Sequence, residues 1–274
     1  MNLRVMTYNI ASGRDYGVDL ENAAAEYNMA YEVTKCTEVI REAAPVICGL
    51  NEINDFDMDE ETANQPLYIG KTANLPYTYF SKTLDLVYKP DVVEKPSKEV
   101  PLFDKDSNGI LRRYGNAVAS KYPIISAETI PVPDPEVFDE NVYYESRAIA
   151  KVKLDVAGGI TVFQTHFGLA VAEVQNSVTT LCKLIDETEG PIILMGDFNV
   201  RPSNFILNPI RERLVDTASV RPGEYIKTFP SYPKNYPDCK IDYMFVSKHF
   251  KINSVEVPHL RVSDHYPYIA ELEI

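Results

Sequence analysis

Pro191-Ile192-Ile193-Leu194-Met195-Gly196-Asp197-Phe198-Asn199-Val200 runs an apolar, β-type stretch directly into a carboxylate and a carboxamide. Near the other end of the chain, Val262-Ser263-Asp264-His265-Tyr266-Pro267 sets a carboxylate beside an imidazole, just before the strand-like Tyr268-Ile269-Ala270. Polar groups at the ends of buried strands must satisfy one another or face a cleft, because burying them unpaired costs free energy. An acid, an amide and an imidazole with no nucleophilic Ser or Cys as their partner point to metal-assisted hydrolysis rather than covalent catalysis.

Working outward, the pattern predicts a strand over residues 4–9, a helix over 27–43 that stops before Pro45, and a continuous apolar strand over 46–50. Strands follow at 77–80, 115–120, 146–154 and 160–165, with Ala157-Gly158-Gly159 turning between the last two. Val174, Val178, Leu181 and Ile185 fall at helical spacing over 171–186, ended by Gly190-Pro191. A strand at 192–195, a helix at 205–214 and strands at 241–246, 252–257 and 268–272 complete the reading. Stretches near 84–110 (chiefly 89–108) and 131–141 are rich in Pro, Asp, Glu and Lys and read as surface insertions. Few helices and many short strands predict an α/β fold: a four-layer sandwich of two mixed, mostly antiparallel sheets flanked by helices. No repeat or flexible linker divides the chain, so residues 1–274 are expected to form a single domain.

The chain has 274 residues, 45% of them apolar, which suffices for a large core. No apolar run approaches the ~20 residues a membrane helix needs. Strand-like sequence begins at once and no secretory signal is visible, so the expected location is cytoplasmic, as a monomer. The net charge of −13, from 27 basic and 40 acidic residues, opposes strong non-specific binding of nucleic acid. Cys36, Cys48, Cys182 and Cys239 are too scattered for a zinc motif; Cys48 and Cys182 fall in apolar patterns and are expected as buried thiols.

Polar residues recur at the predicted strand ends: Asn9, Asn51-Glu52, Asn116, Arg147, His166, Asp197 with Asn199, Asp242, and Asp264-His265. Singly, an Asn after a strand is a turn residue and a lone Glu a solvated charge. Together they are too many, on one sheet system, to be turns. The run from Thr7-Tyr8-Asn9-Ile10 to Ser263-Asp264-His265-Tyr266-Pro267, with Gly196-Asp197-Phe198-Asn199 and Ile241-Asp242-Tyr243 between, resembles the endonuclease/exonuclease/phosphatase superfamily. Members include DNase I-like nucleases, inositol polyphosphate phosphatases and neutral sphingomyelinases.

The resemblance implies that Glu52 and Asp264 bind Mg²⁺ (or Mn²⁺) with Asn9 close by. It implies that Asp197 aligns or deprotonates water, that Asn199 donates to the phosphoryl oxygen, and that His166 and His265 hold or protonate that group. It further implies that Asp242 fixes the His265 tautomer and that Asn116 and Arg147 contact the scissile phosphate. The family's Gln-Glu is Asn51-Glu52 here, and the shorter amide is expected to relax a contact behind the site. Tyr8, Tyr114, Phe167, Phe229 and Tyr243 read as wall and core residues, and His249 and His259 as surface or structural ones.

The function expected is metal-dependent hydrolysis of a phosphate-ester substrate by direct water attack, with a small molecule or lipid headgroup favoured. A nuclease is the alternative, with Arg112, Arg113 and Lys121 as its nearest approach to a basic track; steep salt sensitivity of DNA cleavage would favour it. A catalytically silent binding protein of the same fold is the reading from another class, which absence of both metal binding and hydrolysis would support.

Overall fold

Strict alternation of side chains along the strands sorts this chain into layers. The computed structural model describes residues 1–13, 33–88, 110–138, 144–222, 226–230 and 239–274. In chain order the elements are β1 (Asn2–Asn9), a 3-10 turn (Ala11–Gly13), α1 (Val33–Ala43), β2 (Ile47–Phe56), α2 (Gln65–Thr72), β3 (Tyr77–Tyr88), β4 (Ile110–Ser120), β5 (Ile124–Pro131) and β6 (Ala148–Leu154). Then come β7 (Ile160–His166), α3 (Val171–Asp186), β8 (Ile192–Asp197), a 3-10 turn (Phe205–Leu207), α4 (Asn208–Arg211), β9 (Val215–Asp216), a 3-10 turn (Thr217–Val220), β10 (Asp242–Val246), β11 (Lys251–Glu256) and β12 (Tyr268–Glu273).

Two six-stranded sheets result, ordered β11-β12-β1-β2-β4-β3 and β5-β6-β7-β8-β10-β9. Among the described residues, β1–β2 and β7–β8 pair in parallel, each across a helical crossover, and the other pairs are antiparallel. Leu3, Val5 and Ile47 of the first sheet meet Val152, Val162, Ile193, Met195 and Met244 of the second in a shared apolar layer. The intervening residues face outward. Met6, Tyr8, Cys48 and Leu50 lie under Val33, Cys36 and Ile40 of α1 and Ile69 of α2. Phe163, Leu194, Tyr243 and Phe245 lie under Val174, Val178, Leu181 and Ile185 of α3. The result is helix, sheet, sheet, helix, as the sequence predicts. Each fully buried Val, Leu or Ile contributes roughly 1.5–3 kcal/mol of transfer free energy to this stack.

Several details depart from the sequence reading. β3 and β4 extend well beyond 77–80 and 115–120, so residues 84–88 of the stretch read as an insertion are strand; 89–109 lie outside the described residues. Pro131 closes β5, 132–138 have no regular structure, and 139–141 lie outside the description. Residues 27–32 of the first predicted helix also lie outside it. The helix expected over 205–214 is a 3-10 turn followed by the single turn of α4. α2, β5 and β9 are additional. Cys36, Cys48, Cys182 and Cys239 are buried and form no disulfide. Among the described residues no helix is long and apolar enough to cross a membrane.

What positions the site is the continuation of the inward-facing series. Leu3 and Val5 give way to Thr7 and Asn9; Ile47 to Gly49 and Asn51; Val118 to Asn116, Tyr114 and Arg112. In the other sheet Val162 gives way to Gln164 and His166, Ile193 and Met195 to Asp197, and Met244 to Asp242. At one end of the sandwich the interior turns from apolar to polar on both sheets at once.

Candidate active site

Asn51 ties the two sheets together beneath the cleft. Its Nδ2 donates to Asn116 Oδ1 and to the Thr165 carbonyl, both at 2.8 Å. Its Oδ1 accepts from Gln164 Nε2 at 2.9 Å and from the Asp197 backbone N–H at 3.1 Å. Every hydrogen-bonding position of the amide is used. The expectation that Asn in place of Gln relaxes a contact is therefore wrong: the shorter side chain is met by Gln164 reaching across from β7. Gly49 makes room for that reach, since a Cβ there would stand 2.0 Å from Gln164 Oε1.

Next to Asn51 the β2–β4 register slips between Leu50 and Ile53, so Asn51 and Glu52 together face Asn116. Glu52 is the bulged residue and takes φ 54°, a conformation costly for a side chain with a Cβ. The bulge turns the carboxylate into the cleft, where Asn9 Nδ2 donates to Glu52 Oε1 at 3.0 Å. The same Nδ2 lies 3.1 Å from Asp197 Oδ2, while Asn9 Oδ1 accepts from Ala11 N–H at 3.0 Å. Ser263 Oγ donates to the Asn9 carbonyl at 2.7 Å and approaches Asp264 Oδ1 at 3.2 Å, which brings the C-terminal motif to the end of β1. Burial raises the Asp264 carboxyl, and the charge of Glu52 pushes it further in the same direction while His265 opposes both.

Across from Glu52, Asp197 Oδ2 stands 3.6 Å from both His166 Nε2 and His265 Nε2. Asp197 Oδ1 accepts from the Asn199 N–H at 2.9 Å, a tight turn in which Asn199 takes φ 50°. Gly196 precedes it at φ 142°, where a Cβ would stand 1.9 Å from the Thr165 carbonyl oxygen. His265 Nδ1 bonds Asp242 Oδ2 at 2.9 Å, and the Phe229 ring packs on the imidazole at 4.7 Å between centroids.

Charge in this group is arranged unevenly. Burial lifts Asp197 to about 7, although His265 and the N–H groups of Asn199 and Asn9 pull the other way. Burial alone would lower His265, but Asp242 and Asp197 outweigh it and hold the imidazole cationic, well above its ordinary range. His166 is driven the other way, by burial and then by Arg147 and His265, and is neutral. Neutral His166 can accept from Asn199 Nδ2 at 3.3 Å; that amide also donates to the Phe167 carbonyl at 2.9 Å.

Asn9, Glu52, His166, Asp197, Asn199, Asp242, Asp264 and His265 thus come together in one cleft. Asn116 lies beneath it, with its Oδ1 held by Asn51 and its Nδ2 donating to the Ala148 carbonyl at 3.3 Å. Arg147 flanks the cleft in a buried ion pair with Glu145 at 2.8 Å. The sequence reading passed over Asn51's role, Gln164, Ser263 and Glu145. It placed Tyr114 in the wall, yet the phenol is in the field of Glu52 and Glu145, and its pKa is raised by burial and then by those charges. Gln164 was findable, since it lies two residues before His166 and so shares its face. His249 bonds Ser247 Oγ at 3.0 Å and His259 stacks on Tyr266, both structural roles as expected.

Two acid sets could attract a cation. Asp197, Asp242 and His265 present ligand atoms within 4.8 Å of one another. There, however, His265 already supplies the positive charge and Asp242 is committed to its Nδ1. Glu52 and Asp264 repel each other, His265 offsets this only at Asp264, and neither carboxylate is bonded to the imidazole; such a pair suits Mg²⁺, which takes few protein ligands and keeps water and phosphate oxygens.

Comparisons with known proteins agree with the fold. A search of curated protein sequences returns no match. An endonuclease/exonuclease/phosphatase structure from Beutenbergia cavernae superposes with TM-score 0.74 at 21% identity, covering 100% of this chain and 72% of that one. Mannosyl-6-phosphatase from Bacteroides thetaiotaomicron gives 0.66 at 16% identity, covering 99% and 100%. Truncated TDP2 from Caenorhabditis elegans gives 0.60 at 14%, covering 100% and 98%. The profile of the Endonuclease/Exonuclease/phosphatase family matches residues 6–265. From Asn9 on the first strand to His265 before the last, this chain belongs to the endonuclease/exonuclease/phosphatase family.

Proposed function

We propose that the chain is a Mg²⁺- or Mn²⁺-dependent phosphoesterase that hydrolyses a small-molecule or lipid-headgroup phosphate ester by direct attack of water. The observation that carries this reading is the continuous line Glu52–Asn9–Asp197–His265–Asp242, which sets Glu52, in the field of Asp264, at one end and an imidazolium held by Asp242 at the other. A divalent ion held by Glu52 and Asp264 supplies positive charge for the phosphoryl oxygens when bound. Asn9 positions Glu52 and Asp197 through one amide nitrogen.

Asp197 Oδ2 takes the proton from water, its affinity for that proton raised by burial, as the water oxygen bonds phosphorus and the ester P–O bond breaks, the departing alkoxide taking a proton from solvent. His265 donates through Nε2 to a non-bridging phosphoryl oxygen as charge collects there, and Asp242 holds it in the tautomer that allows this. His166, neutral, accepts from Asn199 through Nε2, and this contact fixes both side chains beside Asp197 at the edge of the cleft. Asn116 and Arg147 support the phosphate-facing wall from below and beside it.

Neutralisation of the basic residues favours a small ester over a nucleic acid. Arg113 is paired with Asp55 at 2.8 Å, and Arg112 is buried with its Nε donating to Asn54 Oδ1 at 2.8 Å. With a net charge of −13, little of the track a nuclease needs is left. The mannosyl-6-phosphatase of this fold is named for a monoester, in keeping with that choice. The test is a panel of phosphate mono- and diesters assayed with Mg²⁺ and with EDTA. Chelator-sensitive turnover of a small ester, lost in Asp197→Ala and His265→Ala, is expected; turnover of plasmid DNA alone would overturn the substrate class.

A further inference from the structure

Beside the cleft, where the 132–135 stretch meets the start of α3, lies a small cavity lined by Asp134, Glu145, Arg147 and Glu173. It has room for roughly one water-sized group. Its arginine is engaged before any ligand arrives, since Arg147 is paired with Glu145 and both are about nine-tenths buried. Glu173 anchors the surroundings, accepting from the Ala170 and Glu145 backbone N–H groups at 3.1 and 3.4 Å. One polar atom is left over: Arg147 Nε is buried and has no hydrogen-bond partner. Orphaned donors of this kind are rare in protein interiors. Arg147 also acts electrostatically on His166 and feels Glu52, so the cavity adjoins the reacting centre.

The chemistry of this niche selects its occupant. An anion meets several carboxylates, and a cation meets the arginine. A hydroxyl is uncharged and both donates and accepts, so it can take Arg147 Nε–H on its oxygen and give its own proton to Glu145 or Glu173. We infer that the niche formed by Glu145, Arg147 and Glu173 is a subsite for a hydroxyl of the substrate, which makes the substrate the phosphate ester of a polyol rather than of a plain alkyl or multiply phosphorylated group. This rests on the phosphoesterase reading and narrows it.

A hexitol 1-phosphate carries a hydroxyl on every carbon beyond the ester, whereas hexyl phosphate has the same chain and none. Both are assayed for kcat/KM with Mg²⁺, and their binding to the full chain is measured by calorimetry. About a tenfold preference for the hexitol ester is expected in both readouts, the worth of one buried hydrogen bond. In Glu145→Gln, checked for an unchanged thermal melt, the preference should fall toward one. Equal binding of the two esters, or a preference untouched by Glu145→Gln, would show the niche to be a structural water site and overturn the inference. Absence of turnover with the binding preference intact would instead refute the phosphoesterase reading and leave the subsite standing.

Discussion

Replacing Asp242 by Asn keeps the shape of the side chain and removes its charge from behind His265. Both groups are almost wholly enclosed, at 1% and 3% exposure, and their 2.9 Å bond holds the imidazolium. A hydrogen bond to a charged group is worth about 1.5–3 kcal/mol, and the Asn amide can present N–H to Nδ1 and so invert the tautomer. General acid–base roles contribute about 10²–10⁴-fold, and the same carboxylate-to-amide exchange behind a serine-protease imidazole falls within that range. Asp242→Asn should therefore lower kcat on a small phosphate ester by on the order of 10²–10⁴, with KM moved by less than about threefold. NMR titration should find the His265 pKa lowered toward its ordinary value. A raised histidine stabilises the fold fully below its unfolded pKa of about 6.5 and loses that contribution as pH rises through the folded value. Metal-free Asp242→Asn should thus show a flatter stability profile above that pH. A loss in kcat of less than tenfold, or an unshifted His265, would refute the claim that Asp242 governs this imidazole.

Other expectations follow from the same geometry. Asn51→Ala strands the groups that now bond its amide and should cost about 3–5 kcal/mol, read as a drop in thermal midpoint of roughly 10 °C. Gly49→Ala pushes Gln164 out of its bond to Asn51 and should destabilise by about 1–3 kcal/mol in urea melts. Glu52→Gly relieves a left-handed backbone worth about 1–2 kcal/mol, so the metal-free protein should gain stability while calorimetry finds Mg²⁺ binding abolished. Asp197 is raised to about 7, so the folded chain keeps a proton that the unfolded chain releases near its ordinary 3.8. In EDTA, stability should consequently fall as pH rises between those values, as followed by urea melts.

The layering was legible because it depends on local periodicity. Where Ile192–Leu194 or Val5–Met6 is buried on both faces, an apolar run names a strand, and the polar residue ending it names the cleft. The site residues were legible for the same reason, since Asp197, Asp242 and His166 each break an apolar series at its end. The Glu52 bulge was not, because it exists only in the register between β2 and β4. Nor was the pairing of Glu145 with Arg147 in the loop before β6, or the depth of Asn116, whose partners come from β2 and the start of β6. β5 escaped notice because Ile124, Ile125, Ala127 and Ile130 break the two-residue alternation, and this edge strand exposes Ser126, Glu128 and Thr129 between them. α2 was hidden by Pro66 at its first turn and Gly70 within it.

Anomalous diffraction from crystals soaked in Mn²⁺ reaches the centre of this account without relying on a substrate. A single strong peak bridging Glu52 and Asp264, beside Asn9, is the predicted result. A peak held instead by Asp197, Asp242 and His265, or no ordered ion at any soaking concentration, would contradict it.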